Sequence, residues 1–196
     1  MVLNLFLYIK TVSYTHLDVY KRQILVILKD MELPIFDEVS EEMVAAILEE
    51  TIADPTYRYG YKRGLVYEVE GQVAGIAFGY SAEDEPTIDE PLKNTLKKHG
   101  FNENLQLFID PETLPNEWYL DTISVGADFR GLGIGSKLLE ALPELAKREG
   151  KSVIGLSVDK ANPNAKRLYE RHGYKFVEER MISGHLYEHM QKRIDE

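Results

Sequence analysis

The chain has 196 residues, 44% of them hydrophobic and 29% charged, with a formal net charge of −10 and no cysteine. That composition suits one globular domain with a core large enough to stand unaided, and it excludes a disulfide framework, thiolate metal sites and a cysteine nucleophile. The acidic balance argues against a nucleic-acid surface, which needs a basic patch, and it permits a cationic partner to be drawn in by the overall field. The lack of cysteine fits a reducing cytoplasm.

At the start, "MVLNLFLYI" is too short to span a bilayer, which needs about 20 apolar residues, and it lacks the charged flank and small-residue cleavage site of a signal peptide. No other segment is apolar enough, so no membrane partner is expected. The next stretch, "VSYTHLDVYKRQ", shows neither helical nor strand period. Codons can be chosen for it that make the DNA almost its own reverse complement, like two transposon ends joined head to head. Residues 11–23 therefore read as translated linker DNA, residues 1–23 as a non-native segment, and 24–196 as the domain. On this reading the first strand is missing or replaced, unless "LNLFLYI" fills an edge position.

"ILVILKDMELPIF" reads as the end of a buried helix stopped near Pro34. Ser40 then caps a second helix, with Glu41 and Glu42 in its first turn and Met43, Ala46, Ile47 and Glu50 on one face. "GLVYEVEGQVAGIAFGY" is a hairpin with strands at 66–69 and 73–80 and a Glu70-Gly71 turn. Residues 82–116, rich in Asp, Glu and Pro, read as an insertion carrying helices at about 89–99 and 103–108. Such an excursion is either a binding loop or a solvated decoration. "EWYLDTISV" predicts a strand over 118–125, and a helix over about 135–148 follows with Leu138, Leu139, Leu142, Leu145 and Ala146 on one face. "KSVIGLSVD" is a central strand. "NPNAKRLYERHGY" is a short helix capped by Asn162 and ended by Gly173, and two strands at about 174–181 and 184–190 close the chain. The expected fold class is mixed α/β.

The chemistry is most visible in "VGADFRGLGIGSKLL". Arg130, Gly131, Leu132, Gly133, Ile134, Gly135 and Ser136 lie between a strand and a helix. Glycines let successive amides converge at the positive end of a helix dipole, an arrangement that binds pyrophosphate. A tight structural turn is the plain alternative. A triphosphate P-loop would need a Gly-Lys-Ser/Thr that is absent. A dinucleotide-binding turn is a nearer rival, with Ser136 in the third glycine slot and Asp159 as the ribose acid.

The second half decides between these. The run R-G-x-G-I-G at 130–135, one helix, one apolar strand and then N-x-x-A-x-x-L-Y-x-x-x-G-Y at 162–174 resembles the GNAT superfamily of acyl-CoA-dependent N-acetyltransferases. The likeness is strong over 118–180, holds in outline over 24–80, and leaves out the insertion. It implies a mostly antiparallel sheet flanked by helices on both faces.

It also implies acetyl-CoA as co-substrate, its pyrophosphate held by the amides of 130–136 and its pantetheine arm lying between two parted strands. The amide of Ile123 or Val125 would bond the thioester region, and Asn162 and Ala165 would line the other side of the arm. Acyl transfer is then direct attack by an amine, with Tyr169 as the acid for the leaving thiolate. Asp121 and Glu117 are the carboxylates placed to take a proton, Asp121 by alternation on the face of Tyr119 and Ile123. Each could equally be a structural acceptor, and many members of the family work through water. The acceptor is an amine of a small molecule or peptide, with a cationic one favoured slightly, and a homodimer is allowed.

His185 and His189 stand four apart but lack a third ligand, so no metal site is expected. Tyr57, Tyr59 and Tyr61 alternate and either wall an acceptor pocket or pack on the core. A non-catalytic acyl-CoA sensor is the main alternative function, and a dinucleotide-dependent oxidoreductase a remote one.

Overall fold

Two residues at the tip of the central hairpin hold positive φ, Glu70 at 51° and Gly71 at 77°. This is the mirror-image turn whose twist matches right-handed strands, so Gly64–Val69 (β2) and Gln72–Ser81 (β3) pair directly. The computed structural model describes residues 7–11, 17–30, 35–101 and 108–194. Within them a 7-stranded sheet runs in the order β1-β2-β3-β4-β5-β7-β6. The other strands are Leu7–Thr11 (β1), Trp118–Val125 (β4), Val153–Asp159 (β5), Lys175–Ile182 (β6) and His185–Arg193 (β7). The edge position beside β2 is taken by β1, so the place of the first strand is filled from the upstream segment. Every neighbouring pair is antiparallel except β4 and β5. A dinucleotide-binding domain needs a mostly parallel sheet, so that alternative falls on topology.

The helices are Leu17–Asp30 (α1), Ile35–Glu38 (α2), Glu41–Ile52 (α3), Glu90–Lys98 (α4), Ile134–Arg148 (α5) and Pro163–Arg171 (α6). Helix α1 begins within the stretch read as linker, which was expected to have no helical period, and its Tyr20 is buried against the Phe78 ring at 5.2 Å between centroids. The expected stop at Pro34 and the helix near 103–108 lie outside the described residues, save for Phe108. Ser40 caps α3 by accepting from the Met43 amide. The buried face of α3 differs from the sequence expectation. It consists of Val44, Ile47, Leu48, Thr51 and Ile52, while Met43 is 39% exposed and Glu50 binds Lys98 and His99 at the surface. Helices α1 and α4 both pack on α3, and their placement chooses which of two similar apolar stripes is covered. Residues 57–61 form a turn and the start of a 3₁₀ segment rather than a strand, with Tyr57 and Tyr59 buried in the core.

Two apolar clusters occupy the two faces of the sheet. One joins α1, α3 and α4 to Tyr59, Ile76 and Phe78; the other joins α5 and Tyr169 to Trp118, Leu120, Ile154 and Leu156. All five residues expected on the inner face of α5 are buried there. The 82–116 segment is not merely solvated: Ile88, Leu92 and Leu96 are buried.

Two irregularities of β4 create a site. Opposite β3, Phe78 pairs with Thr122 and Gly79 with Leu120, so Asp121 is the extra residue of a β-bulge. The bulge shifts the phase of alternation. Asp121 keeps the side of Tyr119, but Ile123 turns to the α5 cluster, contrary to the simple period-two expectation. Opposite β5, pairing stops after Leu120 and Leu156, although β4 runs on to Val125 and β5 to Asp159. The strands part there, and their facing edges no longer bond each other.

Candidate functional site

The glycine loop closes one end of this gap. Gly131 and Gly133 sit in the left-handed region at φ 79° and 76°, and a Cβ at either would meet nothing within 4 Å. Open space on that side lets a ligand approach the backbone. Gly133 is the N-cap of α5, with no side chain capping it, and the first helical bond runs from the Lys137 amide to the Gly133 carbonyl. Among the described residues, no main-chain carbonyl takes the amides of 131–136. These donors lie at the positive end of a 15-residue helix, an arrangement that suits an anion. Arg130 and Leu132 are exposed beside it, Leu132 by 63%.

Helix α6 flanks the same end. Asn162 caps it, its Oδ1 accepting from the Ala165 amide at 3.1 Å. Leu168 lies close to Gly135: a Cβ there would stand 3.6 Å from Leu168 Cδ2 and 3.9 Å from Val125 Cγ2. The fold thus brings Val125, Gly135 and Leu168 together around the opening between β4 and β5. Tyr169 packs edge-on to Tyr174 at 6.0 Å, and burial pushes its phenol up to about 12.

Where Asp121 faces out of the bulge lies a cavity of about 160 Å³, lined among others by Arg58, Tyr59, Glu112, Tyr119, Asp121 and Ser157. Arg58 organises it. Its guanidinium is 97% covered, bonds Asp89 through Nε and Nη2 at 2.9 and 2.8 Å, and bonds Asp121 Oδ1 through Nη1 at 2.7 Å. Glu112 Oε1 stands 3.5 Å from the same Nη1, and Phe108 lies 3.6 Å beneath the guanidinium carbon. One cation faces three carboxylates, so the cluster holds surplus negative charge. Asp121 Oδ2 is buried with no hydrogen-bond partner among the described residues. Burial pushes the Asp121 carboxyl up, and it raises Glu112 to about 7, against the pull of Arg58 in both cases.

Glu117 sits differently. It is fully buried at the start of β4, accepts from the Leu114 amide and from Gln191 Nε2, both at 2.7 Å, and lies 3.1 Å from His189 Nε2. Its carboxylate presses on Gly155, where a Cβ would come within 2.0 Å of Oε2. Glu117 therefore reaches the cavity only through neighbours. His185 is exposed, 3.8 Å from Asp159, while Asp159 accepts from the Ala161 amide at 2.7 Å.

Arg58, Glu112, Tyr119 and Ser157 were not singled out from sequence. The available signal was the arginine inside "YRYGY", a charge between aromatics that proved to be buried.

The Glu112 carboxyl sets a pH dependence. Its folded value stands above the ordinary glutamate range, so between about 4.5 and 7 the folded chain holds a proton that the unfolded chain has shed, and stability falls as pH rises. Glu112→Gln removes that loss while keeping an acceptor for the Tyr119 hydroxyl, now 3.0 Å from Glu112 Oε2. The variant is expected to melt with the wild type near pH 5 and roughly 2–10 °C above it at pH 8, for about 1–3 kcal/mol. Parallel melting curves over that range check it.

Comparison with known proteins bears on this arrangement. The profile of the Acetyltransferase (GNAT) family matches residues 28–174. An uncharacterised N-acetyltransferase of Methanocaldococcus jannaschii is 40% identical over 72 residues, which make up 37% of this chain and 30% of that protein, so the match spans under a third of the curated relative. A crystal structure of an acetyltransferase is 60% identical, with 96% of this chain and 100% of that one covered at a TM-score of 0.89. The N-acetyltransferase from Staphylococcus aureus Mu50 is 28% identical, with 94% and 99% covered at 0.82. The fold is also shared with yncA from Salmonella typhimurium, solved with its cofactor acetyl-CoA, at 17% identity, 97% and 95% coverage and 0.60. The family match runs from within α1 to the turn after α6 and takes in both parted strands and the loop that joins β4 to α5; the chain belongs to the acetyltransferase (GNAT) family.

Proposed function

We propose that the protein moves an acetyl group from acetyl-CoA to an amine of a small molecule or peptide by direct attack. The observation that carries this is the set of unengaged amides at 131–136, opening onto the gap between β4 and β5. These amides, with Arg130 and Ser136 beside them, suit a pyrophosphate. The unpaired edge of β4 at Ile123 and Val125 offers main-chain donors for the thioester region, and one well-placed donor to a developing oxyanion is worth about 3–4 kcal/mol. Asn162 and Ala165 bound the far side of the arm. The thioester supplies an activated carbonyl; what the chain supplies is orientation, a donor and two proton sites.

The acceptor end enters the Arg58 cavity. At about 160 Å³ it admits an amine head of a few heavy atoms and leaves the rest of the acceptor outside. The unpartnered Asp121 Oδ2 and the surplus negative charge favour an ammonium there. Asp121 is the group that would hold it and draw off its proton. Tyr169, protonated across the physiological range, is the acid for the departing thiolate.

Thermal melting with acetyl-CoA tests the cofactor half. At 100 times Kd a ligand adds about 2.7 kcal/mol, hence roughly 5–10 °C for a chain of this size. Gly133→Val should weaken acetyl-CoA binding about 10- to 100-fold, because a β-branched residue cannot hold φ 76° and the loop amides turn away. The reading fails if acetyl-CoA leaves the wild-type melting point unmoved, or if an amine panel releases no free thiol.

A further inference from the structure

Ser157 is the first residue of β5 beyond its pairing with β4, and it lines the acceptor cavity. Its Oγ lies 3.2 Å from His189 Nδ1, and His189 Nε2 lies 3.1 Å from Glu117 Oε2. His189 and Glu117 are both fully buried, and the His189 ring stacks on Tyr119 at 10° between planes. The three groups come from β5, β7 and the residue that precedes β4, and only the serine lines the cavity.

We propose that Ser157, His189 and Glu117 form a proton-accepting relay opening on the cavity wall; it rests on the acetyl-transfer reading above. The direction of the relay follows from hydrogen-bond accounting. Glu117 already accepts from two groups that can only donate there, the Leu114 amide and the Gln191 carboxamide nitrogen. A third neighbour on that carboxylate must bring a hydrogen, so His189 carries its proton on Nε2. In the neutral ring Nδ1 is then a bare lone pair, and it faces the Ser157 hydroxyl. Ser157 donates to Nδ1, which leaves its own oxygen free to accept from a nitrogen in the cavity. The Tyr119 hydroxyl proton goes to Glu112 Oε2, so Tyr119 competes with Nδ1 only as a second acceptor for the Ser157 hydroxyl.

The step balances without a further reagent. As the amine nitrogen bonds the carbonyl carbon and the carbon–sulfur bond breaks, one N–H proton passes to Ser157 Oγ while the Ser157 hydroxyl proton passes to His189 Nδ1. The imidazolium is stabilised by Glu117 and the sulfur takes its proton from Tyr169; after release the relay gives up its proton and the Tyr169 phenolate regains one, both through solvent. Ser157 is the catalytic residue of the three, while His189 and Glu117 act through it. The absence of a side chain at Gly155 is part of the device, since a Cβ there would expel Glu117 from its place beside His189.

The resting protein and its turnover test this separately. In ¹⁵N-labelled wild type, long-range ¹⁵N–¹H spectra should show the His189 ring as the neutral Nε2–H tautomer, identified among the 5 histidines by its loss in His189→Gln. An Nδ1–H tautomer, or a ring protonated on both nitrogens, overturns the relay whatever the activity. In turnover, Ser157→Ala and His189→Gln should each lower kcat about 100-fold, leave KM for acetyl-CoA within about threefold, and displace the acidic limb of the kcat/KM profile. The charged and titratable groups facing His189 are Glu117 just before β4, Tyr119 from β4, Glu178 from β6, and Glu112 through Tyr119. Ser157 also stands beside the Tyr119 hydroxyl, which bonds Glu112, so Glu112→Gln run in parallel separates a limb set by that carboxyl from one set by the relay. Ser157→Ala removes one oxygen and leaves His189 on Glu117, so it keeps the test valid if His189→Gln fails to fold. A wild-type pH profile in Ser157→Ala overturns the relay and leaves acetyl transfer standing. Absence of thiol release by the wild type sinks acetyl transfer itself, and the tautomer still decides the relay geometry.

Discussion

Replacing Arg58 with methionine is expected to lower the melting temperature by roughly 6–20 °C at pH 7.5. Arg58 is the cation that permits Asp89, Asp121 and Glu112 to share one dry space. Removing one partner of a buried ionic cluster costs about 3–5 kcal/mol, because the charges left behind have lost both water and counter-ion. Each kcal/mol moves the melting point by about 2–4 °C in a chain of this length. Methionine fills much of the volume over the Phe108 ring, which the guanidinium now covers at 3.6 Å, so a cavity contributes little. The pH response separates charge from packing. Burial already raises the Asp121 and Glu112 carboxyls, and loss of the cation raises them further. The folded variant then takes up protons that the unfolded chain does not hold, so acidification restores its stability. The gap to wild type should therefore narrow from pH 8 to pH 5. A gap that stays constant over that range would show that Arg58 stabilises through packing instead.

The second large effect is on rate. Tyr169→Phe should reduce kcat by about 10²–10⁴-fold, the range for loss of a positioned acid, with little change in melting temperature or in acetyl-CoA affinity. Phenylalanine keeps the ring that packs on Tyr174 at 6.0 Å and removes only the hydroxyl. Burial holds the phenol at about 12, so it donates throughout the neutral range and its own ionisation should not shape the profile below about pH 10. Stopped-flow release of thiol, with affinity measured in parallel by melting shift, checks both halves. Unchanged turnover in a stably folded variant would leave Tyr169 as packing between α6 and the sheet, and the thiolate would need a different proton source.

Much of the chain was legible because its signals are local. Ser40 and Asn162 cap helices by reaching three residues along the chain, a geometry that any sequence reading can anticipate. Glu70-Gly71 carries the φ values its hairpin needs. The inner face of α5 repeats at helical spacing. The glycines before α5 mark where backbone must stand bare. The order of these local devices was enough to suggest the family.

Other features depend on partners far along the chain. Arg58 meets Asp121 across 63 positions, and His189 meets Glu117 across 72. An arginine in a turn and a glutamate at a strand start are ordinarily solvated, and only packing from several elements dries these. The bulge at Asp121 comes from register against Phe78 and Gly79, which no alternation within β4 reveals. The buried face of α3 was misjudged for a related reason: two stripes of that helix are similarly apolar, and α1 and α4 decide which is covered.

By itself, then, the sequence determined the main elements from α3 onward, their caps and turns, and the bare loop that suits a diphosphate, since each depends on dihedral preference or on neighbours within a few residues. Tertiary structure alone decided which charges are buried together, where β4 bends and parts from β5, and which side chains wall the acceptor cavity. Those outcomes depend on desolvation and strand register, and both are properties of elements brought together.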